Sequence, residues 1–145
     1  MQQTGGHVHE LATAHGNFTI ARATRTDLAP YAAAFDAVVA DPQQLLVNVR
    51  DGDGRPADTM QLTFVPGLTR GGATRLLVEG VRVHSRTRGS GLGAAMMTWA
   101  HDQGRSRGAT IVQLTSDKRR GDAHRFYERL GYVASHEGFK LELGG

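Results

Sequence analysis

The chain has 145 residues, no cysteine, 17 basic and 14 acidic side chains and a formal net charge of +3. That length suits one domain with a core that needs no staple, and the missing cysteines exclude disulfides, thiolate zinc sites and a cysteine nucleophile. No apolar run approaches the ~18 residues of a membrane span, and the opening MQQTGGHVHE has neither segment of a secretory signal, so a cytoplasmic protein with no membrane partner is expected.

Residues 1–16, with Gly5, Gly6 and three histidines but no periodicity, read as a loose tail. His7 and His9 lack a third ligand, so no metal site is expected there. A single domain over 17–145 follows. Asn17–Ala23 (NFTIARA) alternates as a first strand, and Thr26 and Asp27 offer caps for LAPYAAAFDAVVA, where Tyr31, Phe35, Val38 and Val39 recur at helical spacing. QLLVNVR is a strand closed by the Asp51–Gly54 turn DGDG. TMQLTFVPGL and ATRLLVEGVRV continue an antiparallel meander.

The order then changes. A glycine loop leads into a helix from about Leu92 to Gln103, followed by the β-rich ATIVQLT, a helix from about Asp122 to Leu130, and closing strands in YVAS and FKLEL. A strand on each side of a helix requires a parallel crossover, so the fold class is α/β with a mixed sheet.

Glycines cost backbone entropy, and their density in Arg88-Gly89-Ser90-Gly91-Leu92-Gly93 points to an anion approaching the main chain. The first N–H groups of the following helix lack intrahelical partners and the helix dipole adds positive charge, which together suit a pyrophosphate; Arg88 can add a charge-assisted bond. Gly89, Gly91 and Ala94 also stand at dinucleotide-fingerprint spacing, but HSRTR separates Val83 from Gly89 and only 28 residues follow Asp117, too few for the remaining strands of such a domain. No GK[ST] follows the loop, which excludes a Walker loop.

The strand VEGVRV, a polar turn and then Arg88-x-x-Gly91-x-Gly93 resemble the signature of the GNAT superfamily of N-acetyltransferases, whose R/Q-x-x-G-x-G/A loop binds the pyrophosphate of acetyl-coenzyme A. DAHRFYERLGYVASHEGFKLEL resembles that family's closing helix and strands, with FYERLGY close to its FYEKLGF. The whole stretch is nearest to the small-amine branch that includes aminoalkylphosphonate acetyltransferases. The likeness runs from about Met60 to Leu143 and is weak before that.

The resemblance implies a mostly antiparallel sheet, splayed at a bulge and flanked by helices, that binds acetyl-coenzyme A as cosubstrate and acetylates a primary amine of a small molecule by direct attack in a ternary complex. It implies that Arg88, Gly89, Ser90, Gly91, Leu92 and Gly93 hold the pyrophosphate. Val81 and Val83 would give main-chain contacts to the pantetheine arm, and the Val83 N–H would be the oxyanion donor. Glu79 stands where many relatives carry the general base, and strand alternation would put Glu79, Val81 and Val83 on one face; a solvated carboxylate is the other reading. Tyr127 matches the tyrosine that protonates the departing thiolate. On the stripe Ala123, Phe126, Tyr127 and Leu130, followed by Gly131 as a left-handed cap, it also reads as a core aromatic.

Arg120 stands where many relatives carry an asparagine, seven residues before the tyrosine. His124, His136 and Glu137 read either as acceptor-site residues or as surface groups, and Lys118-Arg119-Arg120 as an anion grip or a solvated loop. Other classes remain in view. A non-catalytic acetyl-coenzyme A module would use the same fold. A nucleic-acid binder built on Arg82, Arg86, Arg88, Arg105, Arg107, Arg119 and Arg120 lacks interleaved aromatics, and a charge of +3 is modest for one, so no nucleic-acid partner is expected. A homodimer through the last strands is compatible with the sequence; the acceptor is not named by it.

Overall fold

The computed structural model describes residues 8–24, 31–83 and 87–144. His7 of the expected tail, the caps Thr26 and Asp27, and His84, Ser85 and Arg86 lie outside the described residues. Two compact units are present, residues 1–113 and 114–145.

The first unit is one six-stranded sheet in chain order, β1 (His9–Thr13), β2 (Gly16–Arg22), β3 (Gln44–Arg50), β4 (Pro56–Val65), β5 (Thr74–Val83) and β6 (Ala109–Gln113). β1 to β5 form the expected antiparallel meander, and β6 joins β5 in parallel after the crossover helix. The tail expected over residues 1–16 gives way from His9 onward. HELAT pairs with β2, and Leu11 opposite Phe18 is buried, the single apolar anchor that its polar neighbours conceal in the sequence. The DGDG turn closes as expected, with Gly54 at φ +78° and Asp51 Oδ1 accepting the Asp53 and Arg55 N–H groups at 3.0 and 2.9 Å.

Alternation decides which face is dry. Across β3, β4 and β5 the rows Leu45–Leu62–Val78 and Val47–Met60 are buried, as are Phe64 and Leu76, which stand opposite each other. Between β2 and β3, α1 (Ala32–Ala40) packs on β3 through Phe35, whereas Tyr31 of the expected stripe is exposed. The crossover helix α2 (Leu92–Ser106) buries Leu92, Met96, Met97 and Ala100, each worth up to about 1.5–3 kcal/mol where the side chain is large. It continues past Gln103, where the sequence suggested an end. Gly104 sits so close to the sheet that a Cβ there would meet Leu76 Cδ2 at 3.0 Å, so this glycine serves close packing instead of stopping the helix.

The second unit contains α3 (Gly121–Arg129). Its C-terminus closes as the sequence suggests. Gly131 takes φ +93° and donates to Glu128 O, while the Tyr132 N–H reaches back to Tyr127 O at 3.0 Å. The expected strands in YVAS and FKLEL do not form. Residues 132–144 carry no regular structure, and Val133, Phe139, Leu141 and Leu143 are exposed. Alternation makes a segment competent for pairing, but a ladder needs a partner strand, and among its described residues this unit holds only α3.

Candidate active site

The site in the first unit grows out of β5. Thr59 stands opposite Arg82 and Gln61 opposite Glu79, so two steps along β4 match three along β5, and the extra residue is a bulge at Gly80, whose φ is +61°. Only glycine adopts that conformation without strain. The sequence carried the signal in a lone glycine inside the strand VEGVRV.

The bulge changes the facing of the side chains. Glu79 and Arg82, both exposed, stand opposite Gln61 and Thr59, while the main chain of Val83 stands in register with Asp58. The unbroken alternation expected over Glu79, Val81 and Val83 is therefore corrected, because the inserted residue shifts the alternation by one place between Glu79 and Arg82. Glu79 itself is exposed.

Two consecutive β4 side chains hold the bulge. Asp58 Oδ1 accepts the Arg82 N–H at 2.8 Å as well as the N–H of Thr59 at 2.6 Å, and Thr59 Oγ1 donates to Gly80 O at 3.3 Å. Asp58 is 4% exposed, stands in register between Val49 and Val83, and its Oδ2 has no partner among the described residues. Burial pushes its carboxyl up to about 7 against the pull of the two N–H donors. Sequence reasoning passed over Asp58; its signal was an acid at the head of the every-second-residue series Met60, Leu62, Phe64.

On its other side β5 is only partly covered. β6 pairs with Thr74 to Leu77 and ends at Gln113, which leaves β5 from Val78 onward without a ladder partner on that edge among the described residues. Successive N–H groups of a strand point to opposite edges. With the Arg82 N–H aimed at β4, that of Val83 turns to the open edge.

Past the undescribed residues, the chain enters α2 through a tight turn. Ser90 donates its amide and its hydroxyl to Thr87 O, at 3.2 and 2.5 Å, and Thr87 is buried. Gly89 and Gly91 have φ +77° and +83°, and Gly91 is the residue that precedes the first helical turn. Ser90 Oγ accepts the Leu92 N–H at 3.3 Å, the first turn of α2 holds no acid, and the amides of Gly93 and Ala94 have no acceptor among the described residues. Arg88 and Gly89 are exposed at the turn. Bare backbone, uncompensated N–H groups and a nearby guanidinium suit a pyrophosphate, and a carboxylate in the first turn would have opposed it.

In the second unit, Tyr127 lies on the half-buried face of α3, its ring edge-on to Phe126 and Tyr132 at 5.3 and 5.8 Å between centroids. Burial, with Tyr127 beside it, pushes the Tyr132 hydroxyl up to about 12. The basic run is largely engaged. Arg119 forms a two-pronged bond to Asp117, holding that carboxyl well below the usual carboxylate range with Arg120 adding to the effect, and Lys118 pairs with Glu137 at 3.0 Å. His124 donates from Nε2 to Asp117 O at 2.8 Å, and His136 Nδ1 meets Ser135 Oγ at 2.7 Å, so both histidines have local partners. Among the described residues no three His, Asp or Glu side chains stand together as metal ligands would.

A meander closed by one parallel crossover, with a glycine turn heading the crossover helix, defines a mixed-sheet α/β protein. The sequence matches the Acetyltransferase (GNAT) family over residues 10–132, and the chain belongs to that family. It is 42% identical over 56 residues to the aminoalkylphosphonate N-acetyltransferase of Salmonella typhimurium, 39% of this chain and 36% of that enzyme. It is 34% identical over 90 residues to the glucosamine 6-phosphate N-acetyltransferase of Trypanosoma brucei brucei, 62% of this chain and 59% of that enzyme. In both cases the match spans less than two thirds of the relative's own length. Among solved structures, a transcriptional regulator from Bacillus halodurans C-125 is 36% identical with a TM-score of 0.82, covering 87% of this chain and 99% of that one.

Proposed function

We propose that this protein is a cytoplasmic N-acetyltransferase that uses acetyl-coenzyme A to acetylate a primary amine of a small molecule, by direct attack in a ternary complex. The observation that carries the reading is the conjunction, in a GNAT-family chain, of a bulged strand with an open edge and a glycine turn, free of acidic side chains, at the head of the crossover helix. Both named N-acetyltransferase relatives act on small molecules that carry a phosphonate or phosphate, which favours an acceptor of that class.

Acetyl-coenzyme A supplies the acetyl group. Arg88, Gly89, Ser90, Gly91, Leu92 and Gly93 hold its pyrophosphate with backbone N–H groups and one guanidinium, and the main chain of Val81 and Val83 aligns its arm along the open edge of β5. Glu79 takes the proton of the acceptor's ammonium, directly or through water, because only the neutral amine is nucleophilic. The Val83 N–H donates to the acyl oxygen as negative charge develops there, a contribution of a few kcal/mol in comparable sites. Tyr127 gives its hydroxyl proton to the departing sulfur.

The test is thermal unfolding with and without acetyl-coenzyme A, in the wild type and in Gly91→Glu. A ligand at a hundred times its dissociation constant stabilises by ~2.7 kcal/mol, so the expected result is a clear rise in midpoint that the charged, φ-strained variant lacks. An amine panel that includes aminoalkylphosphonates and glucosamine 6-phosphate then reads release of coenzyme A. A second reading, a coenzyme-binding module without catalysis, is favoured by the description of the 36% identical Bacillus halodurans protein as a transcriptional regulator. It predicts the same thermal shift with no coenzyme release across the panel.

A further inference from the structure

We propose that Asp58 is a positioning residue for acyl transfer: by holding the Arg82 N–H on the β4 side of the bulge, it turns the Val83 N–H toward the open edge of β5. This inference rests on the reading of Val83 as the donor to the acyl oxygen.

At the bulge the regular ladder fails, because two residues of β5, Gly80 and Val81, stand against one of β4, Met60. A strand freed there could rotate about its own axis and aim its amides elsewhere. Asp58 replaces the missing main-chain acceptor with a side-chain oxygen, 2.8 Å from Arg82 N, and the same oxygen is fixed by the Thr59 N–H at 2.6 Å. Thr59 ties the other end of the bulge through Gly80 O. The residue next to the clamped amide is the one whose N–H must be aimed. Core packing alone does not account for an aspartate here. It is 4% exposed in a row of apolar side chains, and its second oxygen has no partner among the described residues. An apolar side chain would fill that place without burying a carboxylate, and it would leave the Arg82 N–H unmet.

The experiment compares full-length wild type, Asp58→Ala and Asp58→Asn for binding of acetyl-coenzyme A and of free coenzyme A by titration calorimetry, with amide hydrogen exchange at Arg82 alongside. Asp58→Ala is expected to bind acetyl-coenzyme A roughly tenfold more weakly, since one oriented hydrogen bond is at stake, while free coenzyme A, which lacks the acyl oxygen, changes less. Asp58→Asn keeps an acceptor for Arg82 and should restore most of the difference. Protection of the Arg82 amide should fall in the alanine variant and persist in the asparagine one. If the alanine variant does not fold, the asparagine variant and the wild-type exchange decide: an unprotected Arg82 amide in the wild type overturns the proposal. Folded Asp58 variants that bind acetyl-coenzyme A as the wild type does overturn it while leaving the coenzyme reading intact. A wild type that binds no acetyl-coenzyme A overturns the coenzyme reading and this proposal with it.

Discussion

Asp58 also has a consequence for stability that is separate from binding. Its carboxyl titrates near 7 in the fold against an ordinary value of 3.8, because burial opposes the charge more than its two N–H partners support it. Between these values the folded chain keeps a proton that the unfolded chain releases. This residue's contribution to stability is therefore greatest below about pH 4, declines as the pH rises through the window and levels off above about 7. Asp58→Asn cannot titrate. The urea midpoint of the wild type, taken relative to that of Asp58→Asn, should fall between pH 4 and pH 7; parallel curves would mean that Asp58 is ionised throughout. Asp117 works in the opposite sense, held low by Arg119, but it is exposed and solvent screens its pairing, so it adds little to the slope. At this scale the sequence was legible for Gly91, Gly131 and the Asp51 turn, whose conformations depend on neighbours within a few residues. It was silent on Asp58, because what makes that aspartate unusual is a bulge in a strand more than twenty positions later.

Elements were legible wherever a pattern and its partner lay close together. The β2 to β5 meander and the three helices follow their periodicities, and the bulge, at Gly80, was expected from the family resemblance alone. Two segments went the other way. HELAT carries one buried apolar residue in a polar run and still forms β1, because β2 lies two residues away to pair with it. FKLEL alternates cleanly and forms no strand, since propensity cannot supply a partner. Phe139, Leu141 and Leu143, all more than 80% exposed, recur at every second position of this segment. Exposed alternating apolar side chains make a segment competent to pair with a second copy, the homodimer that the sequence left open. Light scattering after size exclusion should give a dimer for the wild type and a monomer for the triple serine variant at these positions. A monomeric wild type would remove the dimer from the account.

At the scale of the whole molecule the two units differ in how they are held. The strands of the first share rows of fully buried side chains across β3, β4 and β5, whereas α3 of the second buries no residue completely. Local opening should follow that difference. Amides of β3 and β4 are expected to exchange near the rate set by global unfolding, and those of α3 well before them, as read by hydrogen exchange with mass spectrometry. Equal protection in both would show that the chain opens as one piece.

The parallel ladder between β5 and β6 also constrains the order in which the protein comes into being. Each strand of the meander pairs with the one made just before it, but Thr74 waits for Ala109, and the glycine turn and all of α2 lie between them. During synthesis the five-stranded sheet can therefore close while the apolar side chains that α2 will cover, Leu76 among them, still face water. The growing chain is most exposed to misassociation in that interval. It ends when the helix that begins at the glycine turn emerges from the ribosome and docks.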